Sequence, residues 1–300
     1  MSTKDFHPDL RAMAPWLPRA TVGPRTLKLV RILTDLADHR SSKDVEIEAA
    51  GPISVRIHCP AQVKRPSPAL LWIHGGGYVF GTAAQEDALC RRFAQELGIV
   101  VAAVDYRLAP EHPFPDPLHD CYAALSWLAN RPEIDATRIA VGGASAGGGL
   151  AAALALLARD RAGVQAAFQL LTYPMLDDRT AARADLDETD HRMWNNNANR
   201  FGWQSYTGLP PGSPDISHLA APARHNDLSG LPPAWIGVGA LDLFHEEDLA
   251  YAHRLKAAGV QCEFFVADGA FHGFDYLRPK AGVSQTFQTA RIKALAAALL

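Results

Sequence analysis

Ile139-Ala140-Val141-Gly142-Gly143-Ala144-Ser145-Ala146-Gly147-Gly148-Gly149-Leu150 is the stretch on which the reading of this chain turns. A short apolar run stops at a glycine pair, a serine follows between small residues, and an Ala/Leu-rich helical composition begins at once. A strand that turns so abruptly into a helix holds its corner residue in a strained conformation, and only small neighbours avoid clashes there. The serine then stands clear at the carboxyl end of a central strand. The amide of Ala146 lies at a helix N-terminus, where free N–H groups favour negative charge. A lone Gly-x-Ser-x-Gly also suits a turn that merely packs a helix on a sheet, so the strand-turn-helix placement carries the argument.

On either side the same rhythm repeats. Ala69–Ile73, Ile99–Val104, Ala167–Leu171, Trp235–Val238 and Cys262–Val266 are apolar runs of strand length. Helical stretches separate them, around Asp87–Leu97, Leu118–Leu128, Ala146–Leu157, Asp248–Ala258 and Thr286–Leu299. Runs buried on both faces with helices between them predict an α/β fold, a mostly parallel central sheet of about eight strands flanked by helices. Val45, Ile47 and Ala49, then Ile53, Val55 and Ile57, alternate with polar residues and predict an antiparallel pair at the sheet edge. Leu27, Val30, Leu33, Leu36 and Ala37 recur at helical spacing, an amphipathic helix with a narrow apolar face. Tyr173 to Leu231 breaks the rhythm with acidic residues, prolines and the run Asn195-Asn196-Asn197. A connection this long is commonly a lid or binding loop. The expectation is a single domain, 1–300, whose helical cap is formed by about 1–42 and 175–225.

Composition narrows the function classes. The 300 residues carry a formal charge of −3 with both signs interspersed, which argues against a nucleic-acid groove or a polybasic membrane patch. No apolar stretch approaches the roughly 20 residues needed to cross a bilayer, and Met1–Leu10 lacks the pattern of a secretory signal. A soluble, cytoplasmic protein without stable membrane insertion is expected. Cys59, Cys90, Cys121 and Cys262 are scattered and read as free thiols.

A hydroxyl is a poor nucleophile at neutral pH and needs a base, a group orienting that base, and donors where negative charge develops. His74-Gly75-Gly76-Gly77 closes an apolar strand, and successive glycines let backbone amides approach a substrate. A phosphate loop is the other glycine-rich reading, but neither its lysine nor its spacing is present. Asp242 follows the run Trp235–Ala240, and His272 in Phe271-His272-Gly273-Phe274 follows the last strand-like run. The order Ser145, Asp242, His272 is that of α/β-hydrolases. Asp242 also reads as a helix cap, and Glu246 or Glu247 competes for the orienting role. Of the 12 histidines only His272 has this position. Phe80, Trp194, Phe201, Trp203, Tyr206 and Phe274 are candidate substrate-pocket walls, although aromatics at a cap also serve as interlayer packing.

Together with Asp105-Tyr106-Arg107-Leu108-Ala109-Pro110-Glu111, His112-Pro113-Phe114-Pro115 and Gly230-Leu231-Pro232-Pro233-Ala234, these motifs resemble the hormone-sensitive lipase family of α/β-hydrolase esterases. The likeness covers about Ala69 to Phe274. It implies a carboxylesterase acting on short- to medium-chain esters, with Ser145, Asp242 and His272 as triad. The amides of Gly76, Gly77 and Ala146, with Gly75 beside them, would form the oxyanion hole. It implies no metal or cofactor, a small-molecule ester as substrate, and relatives that often form homodimers. Two positions depart from the family pattern. Ala144 stands where Asp or Thr is common before the nucleophile, and Leu243 stands where the family favours Pro after the acid. Arg107 and Glu111 are expected to anchor their loop through an Arg–carboxylate pair. The alternative functions are an amidase or peptidase using the same triad, and a non-catalytic ligand receptor, which the presence of His272 opposes.

Overall fold

The structure, a computed structural model, describes residues 5–38 and 45–300. Its sheet has eight strands: β1 (Glu46–Ala50), β2 (Ile53–His58), β3 (Ser67–Ile73), β4 (Val100–Asp105), β5 (Ile134–Ala144), β6 (Phe168–Thr172), β7 (Ala234–Gly239) and β8 (Cys262–Ala267). Their order is β1-β2-β4-β3-β5-β6-β7-β8. β2 pairs antiparallel with β1 and β4, and every other pairing is parallel. The helices are α1 (Pro8–Arg11), α2 (Leu27–Asp38), α3 (Asp87–Leu97), α4 (Asp116–Ala129), α5 (Ala146–Asp160), α6 (Asp178–Ala182), α7 (Asn196–Thr207), α8 (His245–Ala257), α9 (Phe274–Leu277) and α10 (Gly282–Leu299). The expected α/β class, strand runs and edge pair are borne out.

Side-chain alternation along the central strands sorts the core into two layers. Ala69, Leu71 and Ile73 of β3 join one cluster with α4 and α5, while Leu70 and Trp72 join the other with α3 and α10. β4 divides in the same way, Val100, Ala102 and Val104 against Val101 and Ala103. The period of two along a strand buried on both faces makes every residue apolar, as the continuous runs required.

The join of β5 to α5 is the tightest passage. A Cβ on Gly143 would lie 2.4 Å from the Gly147 carbonyl oxygen, and one on Gly147 would lie 2.1 Å from the Ile73 oxygen. The first turn of α5 therefore crosses the end of β3 at a distance only glycine permits. Ser145 at the corner has φ 56° and ψ −121°. Its amide donates to the Thr172 carbonyl at 2.9 Å, and its own carbonyl accepts from Gly149 and Met175 at 3.0 and 2.9 Å.

The N-terminal segment and the long β6–β7 connection pack on one another above the carboxyl ends of the strands. The Met193 amide donates to the Pro18 carbonyl, and Arg192 Nε donates to that of Ala14. The Phe114 amide reaches the Tyr206 carbonyl, and Asp178, fully buried, pairs with Arg224. Residues 1–4 and 39–42 of the expected cap, and the Ala37 side chain, lie outside the described residues.

Two expectations are corrected. On α2 the narrow apolar face read from the periodicity is not the buried one: Leu33 and Leu36 are 57% and 60% exposed, beside the exposed Leu29 and Ile32. Leu27, Arg31 and Thr34 face the body of the protein instead. Arg31 donates from Nε to the Val79 carbonyl and from Nη2 to that of Ala109, and pairs with Glu111 at 2.8 Å. Paired carbonyls and a carboxylate outcompete a narrow leucine stripe for the inward face. Arg107 and Glu111 accordingly do not pair with each other. Arg107 binds Asp120, which is 1% exposed, through Nε and Nη2, and pairs with Asp116 as well. Both residues anchor the loop, but to different elements, because the chain after β4 diverges between them.

Gly147→Ala is expected to cost about 2–3 kcal/mol of stability, because the added methyl has only backbone to displace. Urea unfolding of the variant measures it. A midpoint equal to wild type would mean that the crossing is looser than these distances.

Candidate active site

Three residues from three loops meet at the carboxyl edge of the sheet. His272 Nε2 lies 3.0 Å from Ser145 Oγ, and His272 Nδ1 lies 2.8 Å from Asp242 Oδ2. The second carboxylate oxygen of Asp242 accepts from the Phe244 amide at 3.0 Å, which fixes the rotamer from the start of α8. All three side chains are buried. The imidazole is held edge-on between Tyr173 and Phe244, with ring centroids at 4.8 and 5.3 Å. A donor to the carboxylate at Nδ1 leaves Nε2 as the acceptor for the hydroxyl proton, so the line can activate Ser145. Glu247, the rival acid, instead accepts from the Leu176 and Asp177 amides, and Glu246 pairs with Arg183 at the surface.

The glycine loop after β3 lies against this line. Gly75 packs on Ser145, whose Cβ is 3.4 Å from where a Gly75 Cβ would sit. Gly76 and Gly77 have φ 114° and 57°, the left-handed half of backbone space. A Cβ on Gly76 would meet the Phe80 carbonyl at 1.8 Å, and one on Gly77 the Trp194 ring at 2.2 Å. Among the described residues the N–H groups of Gly76, Gly77 and Ala146 have no hydrogen-bond partner. Unspent amides beside a serine hydroxyl can receive a developing oxyanion. His74 braces the loop, with Nδ1 2.7 Å from the Gly75 carbonyl oxygen and its ring stacked 4.2 Å from Tyr106. Burial lowers its pKa, so the imidazole stays neutral and Nδ1–H is the donor.

A cavity of about 460 Å³ opens onto Ser145, lined by Gly75, Gly76, Gly77, Ala144 and His272. Of the aromatic residues expected to wall it, Phe80 and Trp194 do so. The structure sets the other four elsewhere. Trp203 and Tyr206 are fully buried against Tyr78, Tyr206 stacked at 4.0 Å, and Phe201 packs on the same core. Phe274 is buried against Phe287 at 5.1 Å. Helical spacing of aromatics on α7 served interlayer packing, which sequence alone does not distinguish from a wall. Ala144 lines the cavity, so the small residue before Ser145 leaves space where a longer side chain would stand.

Several lining residues had no local signal in the sequence: Glu86 near the start of α3, Tyr173 after β6, Asp275 on α9, and Ser284, Gln288 and Arg291 on α10. The last three are spaced by four and three residues and so share one face of α10, but Gln285, Thr286, Thr289 and Lys293 make the rest of the helix polar too, and the stripe does not stand out. At the far end of α5 from Ser145, Asp160, His218 and His225 lie close enough to hold an ion. Arg159 Nη2 lies 3.4 Å from His225 Nε2, which sets a positive charge against that donor atom.

Two acids behind Asp242 are under electrostatic pressure. Burial pushes the Glu247 carboxyl up to about 8, against the hydrogen bonds that favour its charged form. Asp248, with both oxygens unpartnered, is held well above the usual carboxylate range by burial and by the nearby Glu247 and Asp242 charges. From pH 4.5 to about 8 the unfolded chain has released the Glu247 proton while the folded chain keeps it, so this residue's share of stability declines as pH rises. Glu247→Gln removes that decline. The unfolding free energy of the variant relative to wild type should rise by about 2 kcal/mol or more between about pH 5 and pH 9. Parallel curves for the two proteins in denaturant titrations would contradict a protonated Glu247.

Comparison with known proteins adds an independent line. A family model described as alpha/beta hydrolase fold matches residues 70–276. Esterase LipI of Mycobacterium tuberculosis is 38% identical over 270 residues, covering 86% of this chain and 78% of its own length. Ethyl acetate hydrolase of Pseudomonas putida is 35% identical over 230 residues, 74% of this chain and 71% of its own. Among solved structures, a bacterial heroin esterase superposes with a TM-score of 0.90 at 38% identity, over the full length of both chains.

Proposed function

The chain belongs to the hormone-sensitive-lipase-like family of α/β-hydrolase-fold carboxylic ester hydrolases, and from that premise we propose that it cleaves short- to medium-chain esters with Ser145 as nucleophile. The observation that carries the reading is the 3.0 Å contact of His272 Nε2 with Ser145 Oγ, continued at 2.8 Å from Nδ1 to Asp242. His272 takes the hydroxyl proton as Ser145 attacks the ester carbonyl. Asp242 keeps the imidazole in the reactive tautomer and stabilises the imidazolium. The carbonyl oxygen, now negative, is received by the free amides of Gly76, Gly77 and Ala146. Collapse expels the alcohol, which leaves with the proton from His272. Water, deprotonated by the same imidazole, then attacks the acyl-enzyme and releases the acid.

Short acyl groups are supported by a cavity of about 460 Å³, within the range of small-ligand sites, and by a relative named for ethyl acetate. The N-terminal segment and residues 175–225 act together as the cap. Their mutual hydrogen bonds and the packing of Trp194 over Gly77 support this. Among the described residues no helix is long and apolar enough to cross a membrane, and the substrate is a small-molecule ester.

Ser145→Ala, folded by circular dichroism, should lose a factor of roughly 10³ or more in kcat on p-nitrophenyl butyrate. Near wild-type turnover by that variant would sink the proposal. In a chain-length series, p-nitrophenyl acetate or butyrate should exceed palmitate in kcat/KM by roughly tenfold or more. A preference for palmitate would overturn the substrate class while leaving the nucleophile untouched.

A further inference from the structure

The same cavity that opens onto Ser145 is also lined by a polar cluster that the hydrolytic chemistry does not use. Tyr173 donates its hydroxyl to Asp275 Oδ1 at 2.8 Å, and Arg291 donates from Nη2 to Asp275 Oδ2 at 2.7 Å and to Gln288 Oε1. The guanidinium lies over the Phe287 ring, 4.9 Å from its centroid. Trp72 Nε1 donates to Glu86 Oε2 at 3.2 Å. Ser284, Gln288 and Arg291 are 1%, 4% and 2% exposed, yet all three line the cavity.

The hydrogen-bond account of this cluster does not balance. Asp275 has both oxygens engaged, Gln288 Oε1 is engaged, and Glu86 has one oxygen engaged. The donors are in surplus: Arg291 Nε and Nη1, Gln288 Nε2 and Ser284 Oγ have no partner among the described residues. Buried donors without partners are costly and rare, and on side chains that line a cavity they mark a place for an acceptor. Charge decides which kind. Asp275 already neutralises Arg291, and Glu86 stands in the same wall, so a second carboxylate would meet a cluster with no spare positive charge. Desolvation pushes the Glu86 carboxyl up to about 7, the same direction in which a further anion beside it would be disfavoured.

We infer that this polar cluster is a specificity subsite for an uncharged oxygen acceptor, a ketone, ester or amide carbonyl, carried by one arm of the ester substrate. The inference rests on the esterase reading and adds the substrate class: a bifunctional ester in place of a plain alkyl one. A site built to hydrogen-bond an oxygen rejects the analogue without it, because the buried donors are then left bare.

Matched pairs test this on the full chain. One pair is p-nitrophenyl levulinate against p-nitrophenyl pentanoate, and the other is the acetate of 5-hydroxypentan-2-one against pentyl acetate. These set the extra carbonyl on the acyl and on the alcohol arm. In at least one pair the keto ester should lead in kcat/KM by roughly tenfold or more. Gln288→Leu and, separately, Ser284→Ala should bring that ratio down toward one. The ratio is read within one protein sample, so a partly misfolded variant still reports it. Ratios at or below one in both pairs, or a ratio unmoved by either variant, would overturn the subsite while turnover of all four esters left the hydrolase reading standing. Absence of turnover on every ester would instead remove the hydrolase reading, and the subsite with it.

Discussion

The corner at Ser145 is held against its own preference. A non-glycine residue at φ 56° costs about 1–3 kcal/mol. It persists because its amide and carbonyl are bound on both sides, by Thr172 of β6 and by Gly149 and Met175. Those bonds exist only where β5 lies between β3 and β6 and the first turn of α5 crosses the end of β3 over Gly147. The same crossing aims the Ala146 amide and the Ser145 hydroxyl to one side of the sheet. It also brings Gly75 against the serine, so that the strained turn and the glycine loop pack directly on one another.

Everything else in the site answers to that corner. The His272 ring reaches Ser145 from the loop after β8, and its orientation is set by a carboxylate at 2.8 Å and by aromatic edges of Tyr173 and Phe244. Asp242 is locked in turn by the amide of Phe244, the residue that precedes α8. Tyr173 has two tasks, because its ring packs on His272 and its hydroxyl binds Asp275. The His272 ring and the polar cluster of the cavity are thus joined through one side chain. The price of this arrangement is a set of acids, the half-buried Glu86 and the buried Glu247 and Asp248, whose charged forms the fold disfavours.

Much of this was legible in the sequence, and for physical reasons. Strands buried on both faces must be continuously apolar, so β3, β4 and β7 announced themselves. A strand that turns directly into a helix tolerates only small residues at the corner, so Gly143 to Gly147 stood out as well. Order along the chain paired Asp242 with His272. Where the reading failed, two physical causes were at work. Periodicity marked the leucines of α2 as its apolar face, yet the helix turns Arg31 inward to bind the Val79 and Ala109 carbonyls and leaves Leu33 and Leu36 exposed. Aromatics of α7 were offered as pocket walls, yet they fill the space above Tyr78.

The sequence by itself determined the class of fold, the family, and the order in which Ser145, Asp242 and His272 stand along the chain. Those rest on local constraints: side-chain period, steric room at a corner, and motif spacing. Only the tertiary structure decided which amides stay unpaired, which acid faces the imidazole, and what lines the cavity. Glu86, Asp275 and Arg291 come from three segments spread over more than two hundred residues, and no local pattern links them. A cavity is a property of what fails to fill a space, and that is known only when every neighbour has its position.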